Sequence, residues 1–205
     1  MAIRYSKKNP HWNYFVAIER DFEAASRFIE PCEQNENAFS IELGRLLMAA
    51  TQEVDVVMKI LCKTLDPNTN ASKIGGYHEI VDRKLPDFKN DIVRLPRFGM
   101  ESRPWVNWQQ NTPPFWWTAN NKIKHNRSTH FDRATLKNTY NAISGLLLAI
   151  THLHKATLAP DPKLPNDWWR VTAPLDPPST MFKLSAERYI SIGSIGRKEY
   201  EHQTE

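Results

Sequence analysis

The segment WWTANNKIKHNR brings together the side chains in this chain that are best suited to chemistry. At about 100° per residue on a helix, Trp117, Asn121, Lys124 and His125 share one face, with Arg127 one step around from Lys124. An imidazole can act as a general acid or base, cations can bind phosphate, and an indole can stack on a base. The alternative is the solvated end of a helix, where tryptophans fill the core and cations complement the helix dipole.

Positive charge is concentrated in the same region. The chain has a formal net charge of +4 and a pI of about 9.0, and from residue 122 to 133 four cations face only Asp132 as a counter-charge. A local positive patch of this kind attracts phosphates. The residues that we expect to contact nucleic acid are Trp117, Asn121, Lys122 and Arg133.

Glu53 is a carboxylate in an unusual place. It lies at helical steps from Leu46, Ala50 and Val57, so it projects from the apolar face of its helix. A carboxylate there is costly unless it is paired, and we expect it to hold the His125 imidazole in one tautomer. The predicted catalytic residues are Glu53, Lys124, His125 and Arg127. The alternative is a purely structural ion network with Arg20, Glu42 and Arg45.

Missing motifs narrow the possible functions. The chain has no GxGxxG, GxxxxGK[ST], HExxH or GxSxG, so dinucleotide binding, P-loop, zincin and α/β-hydrolase functions have no support. Cys32 and Cys62 lie far apart without a CxxC motif, and we predict no disulfide, metal or cofactor. The beginning MAIRYSKKNP lacks an export signal and the apolar runs are short, which predicts a cytoplasmic protein without a membrane partner.

Hydrophobic periodicity predicts five helices, at about residues 11–29, 36–65, 73–85, 115–127 and 132–155. The second helix carries apolar residues around much of its circumference and should pack against the last helix, at about residues 132–155. Residues 86–113 contain four prolines without sustained periodicity, which indicates a long irregular insertion with a short strand near residues 92–95.

The expected fold is therefore an all-α, antiparallel helical bundle with this irregular insertion. Residues 1–157 should form the bundle, and residues 158–205 a proline-rich C-terminal extension packed on it. Within the extension, MFKLS and RYISIGS are β-prone pieces.

Three stretches, SIELGRLLMAATQEVDVVMKILC, WWTANNKIKHNR and FDRATLKNTYNAISGLLLAI, resemble bacterial proteins of the HEPN-like group (higher eukaryotes and prokaryotes nucleotide-binding). The resemblance covers about half of the chain. It implies an antiparallel helical bundle that dimerises. In many members the activity is metal-independent RNA cleavage by an Arg and a His four to six residues apart. This chain has diverged from that motif, because Thr118, Ala119 and Asn120 stand where the arginine would precede His125.

The resemblance and the basic segment together predict a HEPN-like RNA-binding protein, which in its catalytic version is a metal-independent ribonuclease of a toxin or antiphage defence system. The alternative is a non-catalytic helical module for dimerisation or for binding a cognate protein. Both versions include a homodimer, because one face of the second helix carries surplus apolar residues. These residues are Ile41, Met48, Val56 and Ile60.

Overall fold

The computed structural model describes residues 9–158, 171–172 and 175–185, and within them the chain is mainly helical. The helices are α1 Pro10–Ala25, α2 Ile41–Leu65, α3 Ile74–Lys84, α4 Phe115–His125, α5 Arg127–His130 and α6 Leu136–Thr157. Three short strands accompany them, β1 Val93–Leu95, β2 Met100–Ser102 and β3 Lys183–Leu184. The mainly helical class predicted from the sequence is confirmed.

Capping side chains set where the long helices begin. Asn9 accepts a hydrogen bond from the Trp12 amide at the start of α1. Ser40 and Thr135 do the same for α2 and α6. Both helices therefore start about four residues later than their apolar pattern predicts, because the hydroxyl that satisfies the first free amides fixes the boundary.

The two longest helices, α2 and α6, form the central pair, as predicted, but they run in the same direction. Phe39 and Thr135 form a β-bridge just before the two helices, and the Thr139 hydroxyl donates to the Leu43 carbonyl at 3.1 Å. Both contacts lie near the helix starts, while the pair shares the most extensive helix contact in the described residues. The prediction of an antiparallel arrangement is wrong for this pair, because the long connection through α3 and α4 returns the chain to the end where α2 began.

Helix α1 does run antiparallel to α2. Asp21, near the end of α1, pairs with Arg45 near the start of α2 at 2.6 Å. His11, in the first turn of α1, lies beside Glu53 further along α2. The antiparallel prediction therefore holds for these neighbours.

The strands form a small antiparallel sheet in the order β2-β1-β3. Val93 pairs with Ser102 on one side and with Leu184 on the other. The predicted strand near residues 92–95 and the β-prone piece MFKLS are both confirmed as members of this sheet, while RYISIGS lies outside the described residues. The division into domains 1–157 and 158–205 stays a prediction.

A buried carboxylate ties residues 179–182 to α1, and we call this contact the C-terminal anchor. Glu19 is 2% exposed and accepts hydrogen bonds from the Ser179 hydroxyl and from three backbone amides. Those amides belong to Thr180, Met181 and Phe182. Around the anchor, the Phe182 ring packs against apolar rings of α1, so a charged group is satisfied inside an apolar setting.

Candidate functional site

Helix α4 is held firmly by its inner face. Trp116 is fully buried and its Nε1 donates to the Pro104 carbonyl at 2.7 Å. The Trp116 ring also lies directly over Gly145 of α6, where a Cβ would come within 2.9 Å of it. A glycine on α6 thus allows the close approach that fixes α4. The outer face of α4 is consequently presented to solvent on a rigid support.

That outer face, together with α5, borders an open groove of about 320 Å³, which we call the α4–α5 groove. Its lining residues are Ile74, Pro113, Trp117, Thr118, Asn121, Lys122, His125, Asn126 and His130. Most of the polar members are exposed, whereas Trp117 is only 9% exposed and forms a wall. The groove therefore combines an apolar wall with amide, imidazole and ammonium groups.

The cations around the groove are unpaired within the described residues. Lys122, Lys124, Arg127 and Arg133 are all exposed, and none of them has a carboxylate partner within 4.0 Å in that part of the chain. Some other surface cations are paired, for example Arg94 with Glu101, whereas isolated ones such as Lys84 also lack a carboxylate partner in the described residues. The region beside the groove thus keeps its positive charge available to an anionic ligand.

The structure brings together half of the predicted site residues. Those lining the groove are Trp117, Asn121, Lys122 and His125. Lys124 and Arg127 are exposed but lie outside the lining, and the Arg127 guanidinium is placed over the Phe131 ring at 5.4 Å. Arg133 is also outside, with its carbonyl accepting a hydrogen bond from Asn138.

The predicted pairing of Glu53 with the α4 cations is wrong. The Glu53 Oε1 lies 2.6 Å from the His11 Nδ1, and both side chains are mostly buried. The expectation that this carboxylate needs a partner was sound, but α1 covers it and supplies the imidazole. Periodicity shows that a side chain faces the interior and does not show which helix lies opposite.

The sequence reasoning missed five of the nine groove residues, of which His130 and Asn126 carry polar groups from beyond the end of α4. Both lie just beyond α4, where the chain turns into the short helix α5. That turn carries His130, which is half-buried, back to the same groove as His125. The available signal was the five-residue spacing of two histidines across a predicted helix end.

This arrangement suits acid–base chemistry on an anionic substrate. Two imidazoles and one ammonium border the same open space, and imidazole is the side chain that titrates most readily near neutral pH. Burial raises the pKa of the Cys62 thiol to about 12, so this thiol is no nucleophile. Within the described residues, no cluster of three or more His, Cys, Asp or Glu side chains could hold a metal ion.

The fold and the groove define a mainly helical protein with one small sheet and a basic, histidine-bearing surface groove. No family model, no curated protein and no solved structure matches the chain. No helix among residues 9–158, 171–172 and 175–185 is both long and apolar enough to cross a membrane.

Proposed function

We propose that this chain is a HEPN-like RNA-binding protein whose α4–α5 groove binds the ribose–phosphate backbone. The observation that carries the proposal is the exposure of His125 in an open groove that it shares with Lys122 and His130. A histidine whose only role is to hold two helices together would be buried between them and hydrogen-bonded. Here the carboxylate that could have enclosed it, Glu53, is paired with His11 instead.

The unpaired cations beside the groove supply the electrostatic part of the binding. Each Lys or Arg that neutralises a phosphate releases a condensed counterion, so affinity should fall steeply with salt. Trp117 contributes an apolar wall, because it is too buried to stack freely on a base. We therefore expect the affinity to depend mainly on the charge of the RNA phosphates.

The same groove holds the groups for metal-independent RNA cleavage. One imidazole of the His125 and His130 pair would remove the proton of a ribose 2′-hydroxyl, whose oxygen then attacks the adjacent phosphorus. The other imidazole would protonate the departing 5′-oxygen, which leaves a 2′,3′-cyclic phosphate and a 5′-hydroxyl. Lys122 would stabilise the charge of the phosphorane. The HEPN-like resemblance suggests a toxin or antiphage defence system as the setting.

The test is incubation of the purified protein with total RNA and with tRNA, each with and without a chelator. We expect cleavage that survives the chelator and ends in cyclic phosphates. Both His125→Ala and His130→Ala should abolish it, and Lys122→Ala should slow it about 100-fold. Lys84→Ala, on an exposed part of α3, is the matched control and should cleave normally.

Binding and cleavage are separated by a second measurement, fluorescence anisotropy with labelled RNA. Binding that weakens with salt and with Lys122→Ala, in the absence of any cleavage, would leave an RNA-binding protein without catalysis. No binding to any RNA at low salt would exclude both versions.

A second candidate function, a dimerisation or partner-binding module, is favoured by one surface of α2. Ile41 is 76% exposed, and Val56 and Ile60 lie exposed one helical turn apart. Apolar side chains presented in this way suit contact with a second copy of the chain or with a cognate protein. Light scattering at tens of micromolar should then give the mass of a dimer, and Val56→Glu with Ile60→Glu should give a monomer.

A further inference from the structure

Next to the α4–α5 groove, an arginine and two aromatic rings form a small stack, which we call the Phe39–Arg127 platform. The Arg127 guanidinium lies over the Phe131 ring at 5.4 Å. The Phe39 ring meets the Phe131 ring edge-on, with 6.2 Å between centroids. Phe39 is 53% exposed, so part of its ring is open to solvent.

The platform is built on fixed parts of the fold. The Phe131 ring packs over Gly44 of α2, where a Cβ would lie 3.2 Å from it. Phe39 is fixed by its backbone bridge to Thr135. These contacts hold Phe131 beneath, while the Phe39 ring and the Arg127 guanidinium remain on the outside.

The platform and the groove share the short helix α5. Helix α5 has 4 residues; it begins with Arg127, which belongs to the platform, and ends with His130, which lines the groove. Arg127 also follows directly on Asn126, another lining residue of the groove, and consecutive Cα atoms are about 3.8 Å apart. A ligand that occupies the groove therefore has its next unit within reach of the platform.

Planar apolar faces beside an unpaired guanidinium suit a flat conjugated ring that is attached to a phosphate. We propose that the Phe39–Arg127 platform binds an unpaired base of the RNA whose backbone occupies the α4–α5 groove. This inference rests on the proposed function and adds the substrate class, single-stranded RNA. A base inside a duplex cannot use the platform, because its faces are already covered by its neighbours.

The test compares three labelled probes of equal length by fluorescence anisotropy: a single-stranded RNA, its duplex, and a single strand made of abasic units. Phe39→Leu keeps an apolar side chain but removes the ring, and Arg127→Lys keeps the charge but removes the planar guanidinium. Each should weaken binding of the single strand about tenfold. Neither should change binding of the abasic strand or of the duplex by more than about twofold.

Tyr14→Leu is the matched control, because Tyr14 is also a half-exposed aromatic ring but lies on α1, near the His11 end. It should bind all three probes like the wild type. Unchanged melting temperatures of the three variants would show that each of them is folded.

The outcomes separate the two proposals. If the wild type binds none of the probes, the proposed function fails and the platform fails with it. If the wild type binds RNA but the platform variants bind the single strand normally, only the platform inference is overturned. Loss of self-association in Phe39→Leu, with unchanged RNA affinity, would instead make this surface a contact between two copies.

Discussion

At the C-terminal anchor, the Glu19 carboxylate is almost completely buried and accepts four hydrogen bonds. At the α4–α5 groove, Lys122 and His125 are exposed, and Lys122 has no carboxylate partner within the described residues. The two regions thus use ionisable side chains in opposite ways. The Glu19 carboxylate makes its hydrogen bonds inside the fold, whereas Lys122 and His125 are exposed and can contact a ligand.

The difference teaches how to separate structural from functional charge in this molecule. Burying a charge is unfavourable unless hydrogen bonds compensate it, so a buried and fully satisfied carboxylate is explained by stability alone. Exposed cations that gather round a groove without carboxylate partners repel one another, and those in the last turn of α4 gain only up to about 1 kcal/mol each from the helix dipole. Their placement is explained better by a ligand of opposite charge.

The largest expected effect is at the anchor. Glu19→Ala should lower the free energy of unfolding by about 3 kcal/mol, because it leaves the buried Met181 amide without its acceptor and also removes the acceptor of the Thr180 amide. Chemical denaturation followed by circular dichroism measures this loss. Glu23 lies on the same helix as Glu19, and its exposed carboxylate pairs with Arg97. Glu23→Ala should therefore cost less than about 0.5 kcal/mol. Equal losses of stability in Glu19→Ala and Glu23→Ala would contradict the distinction between a buried, hydrogen-bonded charge and an exposed one.

The second effect concerns the inner face of α4, on which the groove depends. Gly145→Ala should destabilise the protein by about 1–2 kcal/mol, because the new Cβ would meet the immobile Trp116 ring at 2.9 Å. Gly75→Ala, in α3, meets nothing within 4 Å and should be neutral or stabilising by up to about 1 kcal/mol. Thermal melts of both variants test this contrast, and a tolerated Gly145→Ala would show that the support of the groove is not rigid.

The third effect is a pH dependence of stability, which arises from a carboxylate that is hydrogen-bonded within the fold. Burial opposes ionisation of Glu36, but hydrogen bonds from Lys137 and Tyr140 outweigh it and lower the pKa of this carboxyl. Because the pKa is lower in the folded state, the stabilisation is fully present above the ordinary pKa of 4.5 and is lost as the pH falls through the folded-state value.

Glu36→Gln should therefore cost roughly 1 kcal/mol at neutral pH, and its stability should decline less steeply below pH 4.5 than that of the wild type. Urea denaturation at several pH values is the measurement. Glu33→Gln, at an exposed neighbouring position, should follow the wild-type curve. A parallel acid decline in wild type and Glu36→Gln would contradict the assignment.

The smallest effect on stability is expected in the groove. His125→Ala should change the free energy of unfolding by less than about 0.5 kcal/mol, because the imidazole is exposed. Differential scanning calorimetry measures it beside the RNA cleavage assay. A loss of several kcal/mol would show that the histidine is structural, and it would place the groove in the same category as the anchor.

The sequence by itself predicted the helices and their positions well. Apolar residues at helical spacing are decided by local geometry, so α2 and α6 were recognisable as the central pair, and MFKLS as a strand. It also identified Glu53 as a carboxylate facing the interior. The same reasoning would have found Glu19, which lies at helical steps from Phe15 and Phe22 on the buried face of α1.

Only the tertiary structure decided which elements meet. It paired Glu53 with His11 rather than with α4, oriented α6 parallel to α2, and turned His130 back to the groove beside His125. The physical reason is that periodicity within a helix reports which side is buried, whereas the partner on that side depends on the path of the intervening chain. Here that path is the irregular connection between α3 and α4, whose course is determined by packing of its tryptophans and by the sheet it forms with residues 183–184.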